Sequence, residues 1–258
     1  MEITSRTNPH ITDAVKLKSK KERDEKGVFA FEGIKLCREA LRRGAALSEV
    51  FLTEKAADVL AEELTAKGCA YHTVSDPVYE KLTADRSPDG VFCIAPFLTE
   101  LHGKVPGELG KSIILCDIQD AGNLGTCIRS ALAFGIDTLI LAGECADIYN
   151  PKCVRSTMGA LFSQRIVRVC DPLAAIELCR GRGKKVFAAA LRRDAVSLDD
   201  LTPDRDTVFA VGNEGHGLSD LFIEACDGRV VIPMEGGTES LNAAVASSVL
   251  MWRMRSAK

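Results

Sequence analysis

No apolar run in the chain approaches the roughly 18 residues of a membrane span, so a transmembrane protein is not expected. The opening residues, Met1 to Arg6, lack the apolar core of a secretory signal peptide, which makes a cytoplasmic protein the expectation. Histidine is scarce, at four residues, and no two of them lie four apart. Ten cysteines are present, but no Cys-x-x-Cys pair. Neither residue type shows zinc-ligand spacing, so no metal is expected. Several cysteines, Cys93 and Cys116 among them, sit inside apolar runs and read as reduced, mostly buried small hydrophobes. Two nucleotide signatures are missing as well. No G-x-G-x-x-G follows the first strand of the second half, where residues 117–125 read Asp-Ile-Gln-Asp-Ala-Gly-Asn-Leu-Gly, and there is no G-x-x-x-x-G-K-[ST]. This argues against a nicotinamide-dependent oxidoreductase on a plain doubly wound sheet and against a P-loop nucleotidase.

What is present supports a packed α/β chain. Hydrophobic residues make up 46% of the 258 and charged residues 27%, which supplies a core for one large or two modest domains. The net charge of −3 is unevenly spread. Residues 1–45 hold 11 Lys+Arg against 7 Asp+Glu, and residues 46–100 hold 4 against 10. The positive end suits either a phosphate partner or a solvated face.

Hydrophobic periodicity divides the chain. Residues 10–26 read as one amphipathic helix with Ile11, Ala14 and Val15 inward. A strand over 28–31 leads to a helix over 33–43, on which Lys35, Arg38 and Arg42 share a face and Gly44 supplies the stop. Strands over 50–53, 70–74 and 91–95 alternate with helices over 56–67 and 77–83, giving a first β/α domain. The stretch 98–111, with three glycines and a proline, is the linker. Beyond it, strands are expected over 113–116, 138–141, 165–169, 186–190, 208–211 and 230–232. Helices are expected over 124–134, 151–161, 172–180, 219–225 and 241–255. Near-continuous apolar strands alternating with helices imply a mostly parallel sheet covered on both faces. The last helix places Leu241, Val245, Val249 and Trp252 on one face, expected to pack in the core.

Three segments, each at the end of an expected strand, carry the candidate chemistry. The first runs from Asp117 through Asn123 to Arg129, with polar groups in the opening turns of an otherwise apolar helix. The second is Gly212-Asn213-Glu214-Gly215-His216-Gly217-Leu218. Its glycines allow backbone to approach a ligand closely, although a plain turn fits it too. The third contains Ile232-Pro233-Met234 and Ser240-Leu241-Asn242. Ligands of open α/β sheets bind beyond the carboxyl ends of strands. Taken singly, Asn123, Ser240 and Asn242 also suit helix capping, and Ile232 and Leu241 suit ordinary core packing.

In order and spacing, these three segments resemble the motifs of the SpoU (TrmH-like) family of S-adenosylmethionine-dependent RNA ribose 2′-O-methyltransferases. The stretch 154–162 also resembles that family, and Phe31-Glu32-Gly33 with its following helix resembles the family's L30e-like RNA-binding domain. The resemblance implies an L30e-like domain over 1–97, a linker over 98–111 and a SPOUT methyltransferase domain with a deep trefoil knot over 112–258. Gly236, Gly237, Ala243, Ala244 and Ala246 are small enough for the close passage a knot needs. It implies S-adenosylmethionine as cofactor, held by Gly212, Asn213, Glu214, Gly215, Ile232, Pro233, Met234, Ser240, Leu241 and Asn242. It implies Arg129, Asn123, Glu214, Ser240 and Asn242 as catalytic, and a homodimer. RNA, ribosomal in preference to transfer, would meet Lys35, Arg38, Arg42, Arg43 and Arg155, with residues 16–23 nearby. His216 is not required by the motif and stays outside the catalytic set. The remaining alternative is a non-catalytic RNA-binding protein that keeps the fold.

Overall fold

The computed structural model describes residues 2–84, 87–235 and 240–256. Gly236 and Gly237, expected at a point of close passage, lie outside the described residues. The chain forms two compact units, one running to Leu98 and taking in Tyr149–Phe162, the other comprising Thr99–Ile148 and the rest from Ser163. All ten cysteines are free thiols, and burial pushes Cys127 up to about 12 and Cys145 up to about 11. No described helix is long and apolar enough to cross a membrane.

Elements are numbered in chain order. The first unit contains β1 (Glu2–Ile3), α1 (Pro9–Lys16), α2 (Lys20–Lys26), β2 (Val28–Glu32), α3 (Ile34–Arg42), β3 (Glu49–Leu52), α4 (Glu54–Ala66), β4 (His72–Val74), α5 (Asp76–Leu82) and β5 (Val91–Pro96). Among the described residues its sheet has the order β1-β4-β3-β5-β2. β3 pairs parallel with β4 and antiparallel with β5, so the sheet is mixed. Ile11, Ala14 and Leu17 of the first helical segment pack with Phe51, Val74, Val78 and Ile94.

The expected single helix over 10–26 is two helices. The chain turns at Leu17, which caps α1, and restarts after Ser19. The buried Arg23 accounts for the break: its guanidinium donates to the carbonyls of Leu17 and Lys18, which a continuous helix would have engaged.

The second unit contains β6 (Ser112–Cys116), α6 (Ala121–Ala133), β7 (Thr138–Ala142), β8 (Arg165–Val169), α8 (Pro172–Arg180), β9 (Lys185–Ala189), β10 (Val196–Ser197), β11 (Thr207–Val211), α9 (Asp220–Ala225), β12 (Gly228–Val231) and α10 (Ala243–Met254). α7 (Pro151–Ser156) belongs to the first unit. Among its described residues the sheet has the order β10-β12-β9-β11-β6-β7-β8, with every pairing parallel. β6, β7 and β11 are buried along their whole length, which is why they read as continuous apolar runs without alternation. β1 and β10 span two residues each, too few for any periodicity to register.

Two further expectations are corrected. The helix expected over 151–161 stops at Ser156. Met158 and Gly159 then take left-handed backbone, at φ 50 and 91, before a single 3-10 turn over Ala160–Phe162. A Cβ at Gly159 would sit 2.7 Å from the Glu39 Cβ on α3, so only glycine fits this approach. In α10 the apolar face chosen from the sequence points outward. Val245 and Trp252 are 49% and 50% exposed, while Ala243, Ala244, Ser247, Leu250, Met251 and Met254 form the buried side. The period was legible, but a helix apolar nearly all round carries no phase that marks its inner face.

Candidate cofactor cleft

The chemistry gathers at the carboxyl ends of β9, β11 and β12 in the second unit. A cleft of about 440 Å³ opens there, bounded by the loops that leave these strands and by the start of α10. That volume lies in the range of roughly 300–1,000 Å³ common for small-molecule sites. Its walls are mixed: Val211, Ile232, Met234 and Leu241 are apolar, and Asn213 and Glu214 supply polar groups.

The loop after β11 is a closed, self-bonded turn. Asn213 donates its backbone N–H to the Gly217 carbonyl at 3.2 Å, and Gly217 returns one to Asn213 at 2.9 Å. The Asn213 side-chain oxygen accepts from the Gly215 N–H at 2.7 Å. Its amide nitrogen donates to the Asp117 carbonyl at 2.8 Å, tying this loop to the end of β6. Gly212 is buried under the turn, and a Cβ there would fall 2.2 Å from the Gly217 carbonyl carbon. Gly217 itself has left-handed backbone at φ 67. Gly212 and Gly217 are therefore required by the turn's closure. Asp117 is also left-handed, at φ 54, a conformation aspartate tolerates better than most residues. Its carboxylate accepts from the Glu144 N–H at 2.7 Å.

The three sequence segments meet through side chains. The Asn123 amide donates to Glu214 Oε1 at 2.7 Å, and the Asn242 amide donates to Asn123 Oδ1 at 3.2 Å. Asn242 also caps α10, accepting from the Ala244 and Val245 N–H groups. Asn123 is spared capping duty in α6 because Asp120 takes it, accepting from the Asn123 N–H at 2.8 Å. One asparagine thus holds the orientation of the next, and the series ends on a carboxylate at the cleft. Arg129, two turns further along α6, is exposed, and its side chain makes no hydrogen bond or ion pair among the described residues.

Of the residues singled out in the sequence, Gly212, Asn213, Glu214, Gly215, Ile232, Met234, Ser240 and Leu241 line the cleft. Pro233 and Asn242 do not, and neither do Asn123 and Arg129. His216, set aside above, is on the wall. The sequence reading missed the loop after β9, where Ala190, Leu191 and Arg192 form one side, and Asp220 and Ile223 of α9. The strand-end rule that singled out β11 and β12 would have reached β9 had its place between them been known.

The basic residues of the first unit are placed differently from one another. Arg38 makes a bidentate pair with Glu63, with Nε at 2.9 Å and Nη2 at 2.6 Å from Oε1, and the pair holds the Glu63 carboxyl below its usual range. Arg42 hydrogen-bonds Glu39, and Arg43 approaches the same carboxylate at 3.8 Å. Arg155 on α7 stands 3.8 Å from Glu32. Lys35 is exposed and makes no ion pair among the described residues.

A parallel sheet with a ligand-sized cleft across its strand ends defines an α/β small-molecule-binding domain. Comparison with known proteins names its family. Residues 110–252 match the SpoU rRNA Methylase family, and residues 8–93 match the MRM3-like substrate binding domain. The chain belongs to the SpoU family. It is 31% identical over 255 residues to the 23S rRNA (guanosine(2553)-2′-O)-methyltransferase RlmP of Bacillus subtilis, covering 98% of this chain and 99% of that one. Over 138 residues it is 40% identical to the 23S rRNA (uridine(2479)-2′-O)-methyltransferase of Streptomyces viridochromogenes, which is 51% of this chain and 47% of that one. Among solved structures, an AdoMet-bound rRNA methyltransferase from Sinorhizobium meliloti matches with a TM-score of 0.84 at 31% identity, covering 99% of this chain and 97% of that chain.

Proposed function

We propose that the protein transfers a methyl group from S-adenosylmethionine to the 2′-oxygen of a ribose in structured RNA, 23S ribosomal RNA in preference to transfer RNA. The observation that carries this reading is the Asn242–Asn123–Glu214 series, which delivers one oriented carboxylate to a cofactor-sized cleft. The cleft fits the cofactor in kind as well as in size. Apolar walls suit an adenine and a methylthio group, Glu214 suits a cation, and loop main chain can meet adenine and ribose edges. When bound, adenosylmethionine supplies an electrophilic methyl carried on a sulfonium.

The chain's own residues then have separable tasks. Gly212, Asn213, Gly215, Ile232, Met234, Ser240 and Leu241 wall the cofactor, while Asn242 orients Asn123 from behind the wall and Pro233 links Ile232 to Met234. Glu214 has Oε1 engaged by Asn123, and its other oxygen, which has no hydrogen bond among the described residues, can accept from a substrate hydroxyl or balance positive charge. Arg129, unpaired among the described residues, is the cation on α6 suited to pair with the target's phosphate and fix the 2′-oxygen in line. A guanidinium keeps its proton far above neutral pH, so positioning is assigned to Arg129 in preference to base catalysis. Lys35 leads the RNA contact. Arg38, Arg42, Arg43 and Arg155 join it by giving up their glutamate partners.

The trefoil knot over 112–258 and the L30e-like character of 1–97 belong to the same reading. Ile232 and Met234 line the same cleft as Ser240 and Leu241. Cytoplasmic placement follows from the substrate. In a calorimeter the reduced full-length protein should release or absorb heat on adenosylmethionine addition and saturate at one site per chain. Tight binding of NAD with no response to adenosylmethionine would return the cleft to the dehydrogenase class.

A homodimer is part of this proposal, and the outward face of α10 supports it. α6 and α10 pack together through a Ser130–Ser248 hydroxyl contact at 2.8 Å, and they leave Leu132, Val245 and Trp252 exposed. Leu132 lies three residues from Arg129, on the same face of α6. A second copy covering these side chains would bring its surface beside Arg129. Sedimentation equilibrium should show a dimer for the native chain and a monomer for Val245→Lys with Trp252→Lys. A dimer that persists in the double variant would put the interface elsewhere.

A further inference from the structure

The first unit carries a side-chain cluster that the methyltransferase reading does not use. His10 is in the first turn of α1, Glu49 opens β3 and His72 opens β4. β3 and β4 are parallel neighbours, with Phe51 opposite His72 in register. Glu49 lies two residues before Phe51 and so points to the same face. Phe51 and Ile11 belong to one core cluster, which brings the start of α1 over that face. His10 Nδ1 stands 3.0 Å from Glu49 Oε2. The His10 and His72 rings are 5.2 Å apart between centroids, and His72 is stacked on Phe51 at 5.5 Å. One ligand atom from each of the three residues lies within 4.8 Å of the other two.

From this geometry we propose a binding site for a single zinc-class divalent ion, ligated by His10, Glu49 and His72. Two imidazoles and one carboxylate form a donor set that suits zinc and its borderline neighbours and disfavours magnesium and calcium. Zinc bonds to nitrogen and oxygen of about 2.0–2.2 Å place tetrahedral ligand atoms roughly 3.3 Å apart. The His10–Glu49 separation already matches that spacing, and the half-open His10 ring, 52% exposed, has the freedom to close the remaining distance to His72. Phe51 fixes the plane of the His72 ring. The exposed side leaves a fourth position to water. Bound there, the ion would pin α1 to the β3–β4 edge, where β1 adds only two residues of pairing. No linear spacing announces this site, because its ligands come from three elements 39 and 23 residues apart in sequence.

The test uses the full-length, reduced protein stripped of metal and titrated with Zn²⁺ against a chromophoric chelator. Cys170 is an exposed thiol and a competing ligand, so Cys170→Ser is the control. The native chain and Cys170→Ser should each bind one ion with equal affinity. Binding should weaken at least about tenfold in Glu49→Gln and further in His10→Ala with His72→Ala. Zn²⁺ should raise the Tm of the native chain and leave that of the double-histidine variant unchanged. The Tm without metal reports whether that variant folds. If it does not, Glu49→Gln, which preserves shape and a hydrogen-bonding oxygen, decides alone. Equal affinity in native and Glu49→Gln proteins, or loss of binding in Cys170→Ser, would overturn the proposal.

Discussion

Arg129→Ala is expected to lower methyl transfer at least about 10²-fold while leaving adenosylmethionine affinity nearly unchanged. The expectation rests on where Arg129 is. It sits on α6 outside the cleft wall, exposed, with a side chain that engages nothing among the described residues. A free surface arginine adds little to stability, so the variant should fold and melt as the native chain does. A residue that neither supports the fold nor lines the cofactor cleft can lower turnover only through the substrate or the transition state. Arg129→Lys separates charge from shape. If the guanidinium fork grips a phosphate, lysine restores only part of the rate. Turnover equal to the native rate in Arg129→Ala would remove the residue from the mechanism.

The second large effect is expected at Gly212. Gly212→Ala should weaken adenosylmethionine binding by about 10- to 100-fold in calorimetry, with the sheet intact. A Cβ at this position would meet the Gly217 carbonyl carbon at 2.2 Å, the carbonyl oxygen at 2.4 Å and the Leu218 nitrogen at 2.4 Å. All three are backbone atoms, so no rotamer change makes room. The turn closed by the Asn213–Gly217 bonds must open, and with it Glu214 leaves its bond from Asn123. Strain of this kind costs about 1–3 kcal/mol, which sets the range given. Gly215→Ala is the contrast. Its Cβ would meet only the Asn213 side-chain oxygen, at 3.3 Å, so it should be much milder. Equal losses in the two variants would mean that turn closure is not what shapes the cleft.

The sequence made the sheet of the second unit legible because β6, β7 and β11 are wholly buried and read as unbroken apolar runs. Helix starts were legible where Pro151 and Pro172 begin α7 and α8. Breaks that depend on side chains distant in sequence or on backbone handedness were not. Arg23 divides α1 from α2 by capping carbonyls five and six residues earlier, and Met158 and Gly159 end α7 by turning left-handed. At the site, the residue types and their order pointed to the three loops. The Asn242–Asn123–Glu214 series was not visible, because it joins positions 119 and 91 residues apart. The pairing of Arg38 with Glu63 was hidden for the same reason. Helical spacing gave the basic face of α3, but the acid that neutralises it comes from α4.

Ribose methylation is read most directly by incubating the native protein with tritium-labelled adenosylmethionine and 23S ribosomal RNA, followed by digestion to nucleosides. Label is expected in a single 2′-O-methylated nucleoside, lowered at least about 10²-fold with Arg129→Ala. Label on a base, or none on RNA from a strain lacking the protein, would contradict it.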